Sequence, residues 1–188
     1  MISSQPITGG TNAITPLYYD EIQAPTGVIT ITTSLKGICR LDFKAYADNK
    51  DKMTLWANRW YGEHQYIHSP VHLQTAVQQL HQYFAEKREV FDLSFDLQGT
   101  EFQRRVWEGL LMIPYGKAVS YKWIAEQIGQ PTAVRAVGGA NNRNPIPLII
   151  PCHRVIGMNG QMVGYGSGLP LKEWLLRLEG YHIEPVLF

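Results

Sequence analysis

Cysteine is scarce in this 188-residue chain: there are two, Cys39 and Cys152. Two thiols so far apart read poorly as a disulfide framework and fit a reducing compartment. They also leave no recognisable zinc set. The N-terminal half offers Cys39 with His64, His68, His72 and His81, no cysteine pair is present, and no metal is expected. The histidines read as a surface cluster. Long apolar runs are missing as well, since none approaches the roughly 18–20 residues of a membrane span. The first residues lack the basic-then-apolar layout of an export signal, which points to the cytoplasm. A charge excess is absent too. With 17 Lys+Arg against 16 Asp+Glu the net charge is +1, and that balance gives no support for a nucleic-acid partner.

What is present is ordinary in bulk and uneven in place. Hydrophobic residues make up 45% and charged ones 18%, as in soluble globular proteins. The length allows one large domain or two small ones, either with a real core. Between Phe102 and Arg154 the basic residues are Arg104, Arg105, Lys117, Lys122, Arg135, Arg143 and Arg154, against Glu108 and Glu126. A locally basic segment within a neutral chain is how a compact DNA-binding face looks.

Residues 1–15 are Ser/Thr/Gly-rich without periodicity and read as a loose tail. Runs 17–23, 27–34 and 37–43 are short, β-rich and separated by turn residues, predicting an antiparallel meander. Helices are predicted over 51–61 and 70–86, the second opened by Pro70. Residues 91–97 alternate and predict another strand. From Gly99 the texture changes. Thr100 with Gln103 fits a capping box ahead of a stripe of Phe102, Val106, Leu110 and Leu111. Ser120 caps a helix over 121–128 that stops at Gly129, and a second short helix spans 131–140. Helix, tight turn, helix is the helix-turn-helix arrangement, with 132–142 in the recognition position; the same shape also serves as a plain packing unit. Asn144-Pro145-Ile146-Pro147 breaks the chain before an apolar run into Cys152. A glycine-rich loop follows, then a last helix over 169–179.

Cysteine reacts as thiolate, and an ordinary thiol needs a basic partner to ionise near neutrality. Cys152 is followed by His153. On an extended chain the two side chains diverge, so a bridging water would link them. An acid would then orient the imidazole, as in nucleophile–base–orienter triads, and Glu179 is the best-placed candidate. A buried structural cysteine fits the same spacing.

Pro151-Cys152-His153-Arg154-Val155-Ile156-Gly157 resembles the active-site signature of the O6-alkylguanine-DNA alkyltransferases, in their bacterial Ogt-like branch. The resemblance runs in order through Phe102-Gln103-Arg104-Arg105-Val106-Trp107, Val119-Ser120-Tyr121 and Val134-Arg135-Ala136-Val137-Gly138-Gly139-Ala140. It continues through Asn144-Pro145-Ile146-Pro147 and Gly164-Tyr165 to Lys172-Glu173-Trp174-Leu175-Leu176-Arg177-Leu178-Glu179-Gly180. It implies an α+β protein. A small ribonuclease-H-like N-terminal α/β domain would span 16–97, and a mainly helical, winged-helix-like C-terminal domain with the helix-turn-helix would span 98–188.

The implied activity is direct-reversal DNA repair. An alkyl group passes irreversibly from O6-alkylguanine, with O4-alkylthymine as an alternative substrate, to Cys152, once per protein. The resemblance makes Cys152 the acceptor, His153 its water-mediated base, Glu179 the orienter of His153, Asn144 a hinge and Tyr121 the proton donor to the leaving guanine. Arg135 would fill the gap left by the extruded nucleotide. Tyr121, Thr132, Ala133, Ala136 and Asn141 would join it against DNA. Pro147, Val155, Met158, Tyr165, Gly166 and Ser167 would line the base pocket. Gly166 departs from the Ala or Ser usual in relatives. Lys172 matches a family lysine, and a solvent-facing lysine at a helix start fits equally. The implied partner is double-stranded DNA carrying alkylated bases, with no cofactor and no membrane. The protein would act as a monomer, cooperative on DNA or not. Non-catalytic relatives lack the cysteine, so Cys152 argues for chemistry.

Overall fold

The computed structural model describes residues 14–182. Strands β1 (Thr15–Ala24), β2 (Gly27–Ser34) and β3 (Gly37–Asp42) form the expected meander, with β1 starting where the tail was expected to end. The rest of that tail lies outside the described residues. β2 is buried on both faces, since Ile29 and Ile31 enter one layer while Thr30 and Thr32 enter the other. Helix α1 (Tyr46–Tyr61) covers one side of the sheet through Met53 and Ala57. It begins five residues before the predicted start. No side chain caps it, so the sequence carries no start signal there.

Strand β4 (His64–His68) was not predicted. It adds to β1 in parallel, giving the sheet order β3-β2-β1-β4. Its two histidines hid the alternation, and parallel pairing leaves no hairpin signature. The four histidines of the supposed surface cluster therefore divide between β4 and α2 (Pro70–Phe84). His68 meets Asp20 at 3.1 Å, and His72 stacks on Tyr18 with ring centroids 3.7 Å apart. Helix α2 packs Leu73, Ala76, Leu80 and Tyr83 against the opposite face of the sheet. It ends two residues short of the prediction, and Glu86 takes a positive φ of 56°. The strand predicted over 91–97 is absent: only Phe95 forms an isolated bridge, to Ile38. This segment is the connector. Its Ser94 carbonyl accepts from the Ile38 amide at 2.8 Å, an approach so close that a Cβ on Gly37 would sit 2.4 Å from that oxygen.

The helical half opens with α3 (Glu101–Leu111), where the Thr100–Gln103 capping box forms as expected. Val106, Trp107 and Leu110 are buried, whereas Leu111 is exposed. Ser120 caps α4 (Tyr121–Gln127), accepting from the Trp123 amide. Gly129 turns the chain with φ +70°, and α5 (Val134–Asn142) follows. The second helix thus begins three residues after the predicted Pro131, leaving Thr132 and Ala133 in the turn. The Trp107 indole donates to the Ala140 carbonyl at 2.9 Å and fixes α5 across α3. Strands β5 (Val119–Ser120) and β6 (Val155–Ile156) pair in parallel, and α6 (Leu169–Leu178) closes the fold. One continuous core takes in Ile22 and Ile31 from the sheet with Val106, Ile150 and Leu175 from the helical half. The Leu41 amide also donates to the Pro145 carbonyl at 2.9 Å, so β3 holds the turn before Cys152.

Candidate active site

The chain reaches Cys152 through two tight turns. Asn144 donates from Nδ2 to the Ile150 carbonyl at 2.7 Å, and its Oδ1 accepts from the Ile146 amide at 3.0 Å. One side chain thereby clamps both ends of the Pro-Ile-Pro bend, where Leu148 sits at φ 76°. Pro151 at φ −81°, ψ 61° then makes an inverse γ-turn, with the Cys152 amide donating to the Ile150 carbonyl at 2.8 Å. Cys152 to Arg154 form one 3-10 turn. The extended chain expected at Cys152 is therefore replaced by a helical turn, with neighbouring side chains about 120° apart. The consequence survives the correction: Cys152 and His153 point different ways.

His153 points inward and is fully buried. Its Nε2 donates to Glu179 Oε1 at 2.8 Å, which leaves Nδ1 unprotonated and without a protein partner. Burial lowers the imidazole pKa, more than the attraction of Glu179 raises it. His153 is therefore a neutral base near neutrality. Arg154 grips the same carboxylate with a fork, Nε to Oε2 at 2.8 Å and Nη2 to Oε1 at 3.0 Å. Its Nη1 donates to the Ile113 carbonyl. The Tyr83 hydroxyl, from α2, donates to Oε1 at 2.7 Å, and the Gly116 amide donates to Oε2 at 3.3 Å. Burial alone would raise the Glu179 pKa; bonds and charge from His153 and Arg154 override it and hold the carboxyl at about 2. Since His153 is neutral, Arg154 supplies the standing charge.

Cys152 is 3% exposed. Burial pushes its thiol up to about 11, against the opposing pull of the Asn144 side chain and the Lys172 ammonium. The resting group is a thiol, not a thiolate. Its surroundings come from three elements. The β5–β6 ladder aligns Ser120 with Ile156, which brings Tyr121, first residue of α4, beside the cysteine. The Tyr121 hydroxyl donates to the Val163 carbonyl at 3.3 Å. Burial, then the neighbouring Cys152, raise its pKa. Tyr165, from the glycine-rich loop, faces the same thiol, and the same two causes push its phenol well up. Lys172 is fully buried, which rules out the solvent-facing alternative. Its Nζ donates to Val155 O at 2.5 Å and Val163 O at 2.9 Å, clipping the loop to β6. Burial lowers its pKa to about 8.

The remaining residues divide. Thr132, Arg135 and Ala136 are exposed and, with Ala133, line a hollow of about 660 Å³ on the helix-turn-helix face. Asn141 is buried, not on that face; its Nδ2 turns to the Cys152 carbonyl at 3.4 Å. Pro147, Gly166 and Ser167 line a groove of about 580 Å³ beside Asn144. Val155 is buried and its carbonyl already accepts from Lys172. Met158 is 78% exposed and lines neither of these two hollows. A third hollow of about 630 Å³, along α2 from Pro70 to Lys87, contains none of these residues. Sequence reasoning missed Tyr83 and Gly116. It also gave Arg154 only to the basic face, although its position between His153 and an apolar pair was a signal for burial.

Two family profiles match. Residues 17–97 match the ribonuclease-like domain of 6-O-methylguanine DNA methyltransferase, and residues 101–181 match its DNA binding domain. A methylated-DNA–protein-cysteine methyltransferase of Methanosarcina barkeri is 47% identical over 163 residues, 87% of this chain and 97% of its own. That of Methanosarcina acetivorans is 43% identical over 164 residues, 87% and 99% of the two chains. Among solved structures, Mycobacterium tuberculosis OGT in complex with DNA superposes with a TM-score of 0.74 at 41% identity, over 86% of this chain and 92% of that one. With this likeness running the length of both halves, the chain belongs to the 6-O-methylguanine DNA methyltransferase family.

Proposed function

We propose that this chain repairs alkylated duplex DNA by taking the alkyl group of O6-alkylguanine onto Cys152, once and irreversibly. The observation that carries the reading is the buried Cys152 thiol, flanked by two tyrosines and backed by a His153–Glu179–Arg154 relay. A soft sulfur nucleophile suits displacement at an sp³ carbon. Among the described residues nothing resembles the water-fed oxyanion site of a hydrolase.

Docking would use the exposed turn and α5, mostly through phosphates and with little sequence preference. Arg135 fills the stack as the alkylated nucleotide is extruded, offsetting part of a cost of a few kcal/mol. The base enters between Tyr165, Pro147, Gly166 and Ser167. His153 Nδ1 takes the thiol proton through a bridging water, and the Glu179 carboxylate stabilises the imidazolium that results. Sγ then attacks the alkyl carbon, forming the S–C bond as the C–O6 bond breaks. Tyr121 protonates a ring nitrogen of the departing guanine. One proton leaves the thiol and one reaches the base, so the sum is neutral once His153 and Tyr121 re-equilibrate. O4-alkylthymine offers the same leaving-group chemistry.

The test is nucleoside analysis of a duplex containing O6-methylguanine after incubation with limiting protein. Guanine should be restored up to one per protein and then stop. Continued restoration would overturn the single-turnover reading, and none at all would overturn the transfer itself.

A further inference from the structure

The helix-turn-helix hollow does not end on its own face. It shares Thr100, Gln103 and Arg143 with the groove between the two halves of the protein. The two hollows adjoin at these three residues, and the groove passes the Gly166–Ser167 wall of the site. Its far bank is α1. Lys52, Leu55, Trp56, Arg59 and Trp60 line it at spacings of three and four, the signature of one helix face. That face is offset from the one the fold buries, which carries Asn49, Met53 and Ala57, with half-buried Trp56 at the border, packed in part against Leu17, Cys39 and Ala57. Leu55 is 71% exposed, and Arg59 lies over the Trp60 ring at 4.9 Å. On the floor, Arg40 lies over Trp56 at 5.1 Å. Among the described residues the one acid lining the groove is Asp42, already bonded twice to Arg40.

We propose that this inter-domain groove is a second DNA-contact surface. It takes the sugar-phosphate backbone of the strand that continues past the duplex gripped by α5. Lys52, Arg59 and Arg143 meet phosphates, and Trp56 and Trp60 meet sugars or base edges. Cations interleaved with aromatic faces are the chemistry of a backbone-following groove, independent of sequence. Adjacency to the α5 hollow, through the shared Thr100, Gln103 and Arg143, selects DNA over a second protein copy as the occupant. The sheet domain thereby gains a binding role beside its structural one. The assignment rests on the alkyl-transfer reading for its direction of approach.

The experiment compares wild type with a Lys52→Gln/Arg59→Gln double variant, both positions being exposed. Affinity for a duplex containing O6-methylguanine is measured against salt, with DNA in large excess so that each protein binds alone. The slope of log affinity against log salt should fall by about 0.9 for each phosphate contact removed, up to about 1.8. Transfer from free O6-methylguanine base, which has no backbone, should proceed as in wild type. An unchanged slope overturns the proposal. So does an equal loss with the free base, or a loss seen only when neighbouring copies crowd one duplex, which would make the face a protein contact. Failure of the wild type to alkylate Cys152 from either substrate would sink the transfer reading instead, while the salt slope still judges the groove.

Discussion

At Glu179, five hydrogen bonds from Tyr83, Gly116, His153 and Arg154 converge on one buried carboxylate. Its pKa falls from 4.5 to about 2 on folding. A depressed carboxyl contributes stability that is complete above its unfolded pKa and disappears as pH falls through the folded one. The window therefore runs from about 4.5 down to about 2, and the contribution is of order 3 kcal/mol. Denaturant midpoints should drop across that window in wild type and stay flatter in Glu179→Gln. Parallel acid profiles would contradict this. Cys152 behaves in the opposite sense, since burial holds its proton. In a Cys39→Ser background the ultraviolet thiolate signal should rise with a midpoint near 11 rather than near the ordinary 9. A midpoint below neutrality would mean a resting thiolate and an activation scheme without His153.

Among the elements, the glycine-rich loop depends on α6 through one side chain. Lys172 reaches back to β6 and the loop at once. Lys172→Met keeps the length and removes both bonds, leaving a buried carbonyl without its donor at a cost of about 1–3 kcal/mol. A lower denaturant midpoint and slower transfer are expected together; an unchanged midpoint would leave the clip without energetic meaning. The sequence carried clear marks for elements with side-chain caps. The Thr100 box and the Ser120 cap located α3 and α4 to the residue at their starts. Three elements without such marks were misplaced or missed. α1 follows Ala45 with no cap bond, α5 has none either, and β4 depends on a partner far away in sequence. The segment 91–97 alternates as a strand does, yet the Ile38 backbone contacts it on both sides of one residue and little more.

Over the whole molecule, the site is assembled by contacts that local sequence does not encode. Cys152, His153 and Glu179 were legible because their order matches a known motif. Tyr83 was not, since it lies 96 residues from Glu179 and nothing near it signals a buried carboxylate partner. Asn141 and Met158 exchanged expected environments, one buried beneath the cysteine and the other out in solvent. A single core joining both halves also means that strain at Cys152 is felt throughout. A methyl added to a sulfur that is 3% exposed overfills its surroundings, costing about 1–3 kcal/mol. At about 2–4 °C per kcal/mol for a chain of this size, the alkylated protein should melt several degrees lower, in one transition. Equal melting midpoints would contradict that.

The most direct measurement is intact-mass spectrometry, with peptide mapping, after incubation with a duplex containing O6-methylguanine. Wild type should gain one methyl in place of one hydrogen, located on Cys152 and never exceeding one per protein, while Cys152→Ala gains nothing. A wild type that binds the lesion tightly yet keeps its mass, or one that carries the methyl elsewhere, would contradict the assignment of Cys152 as the alkyl acceptor.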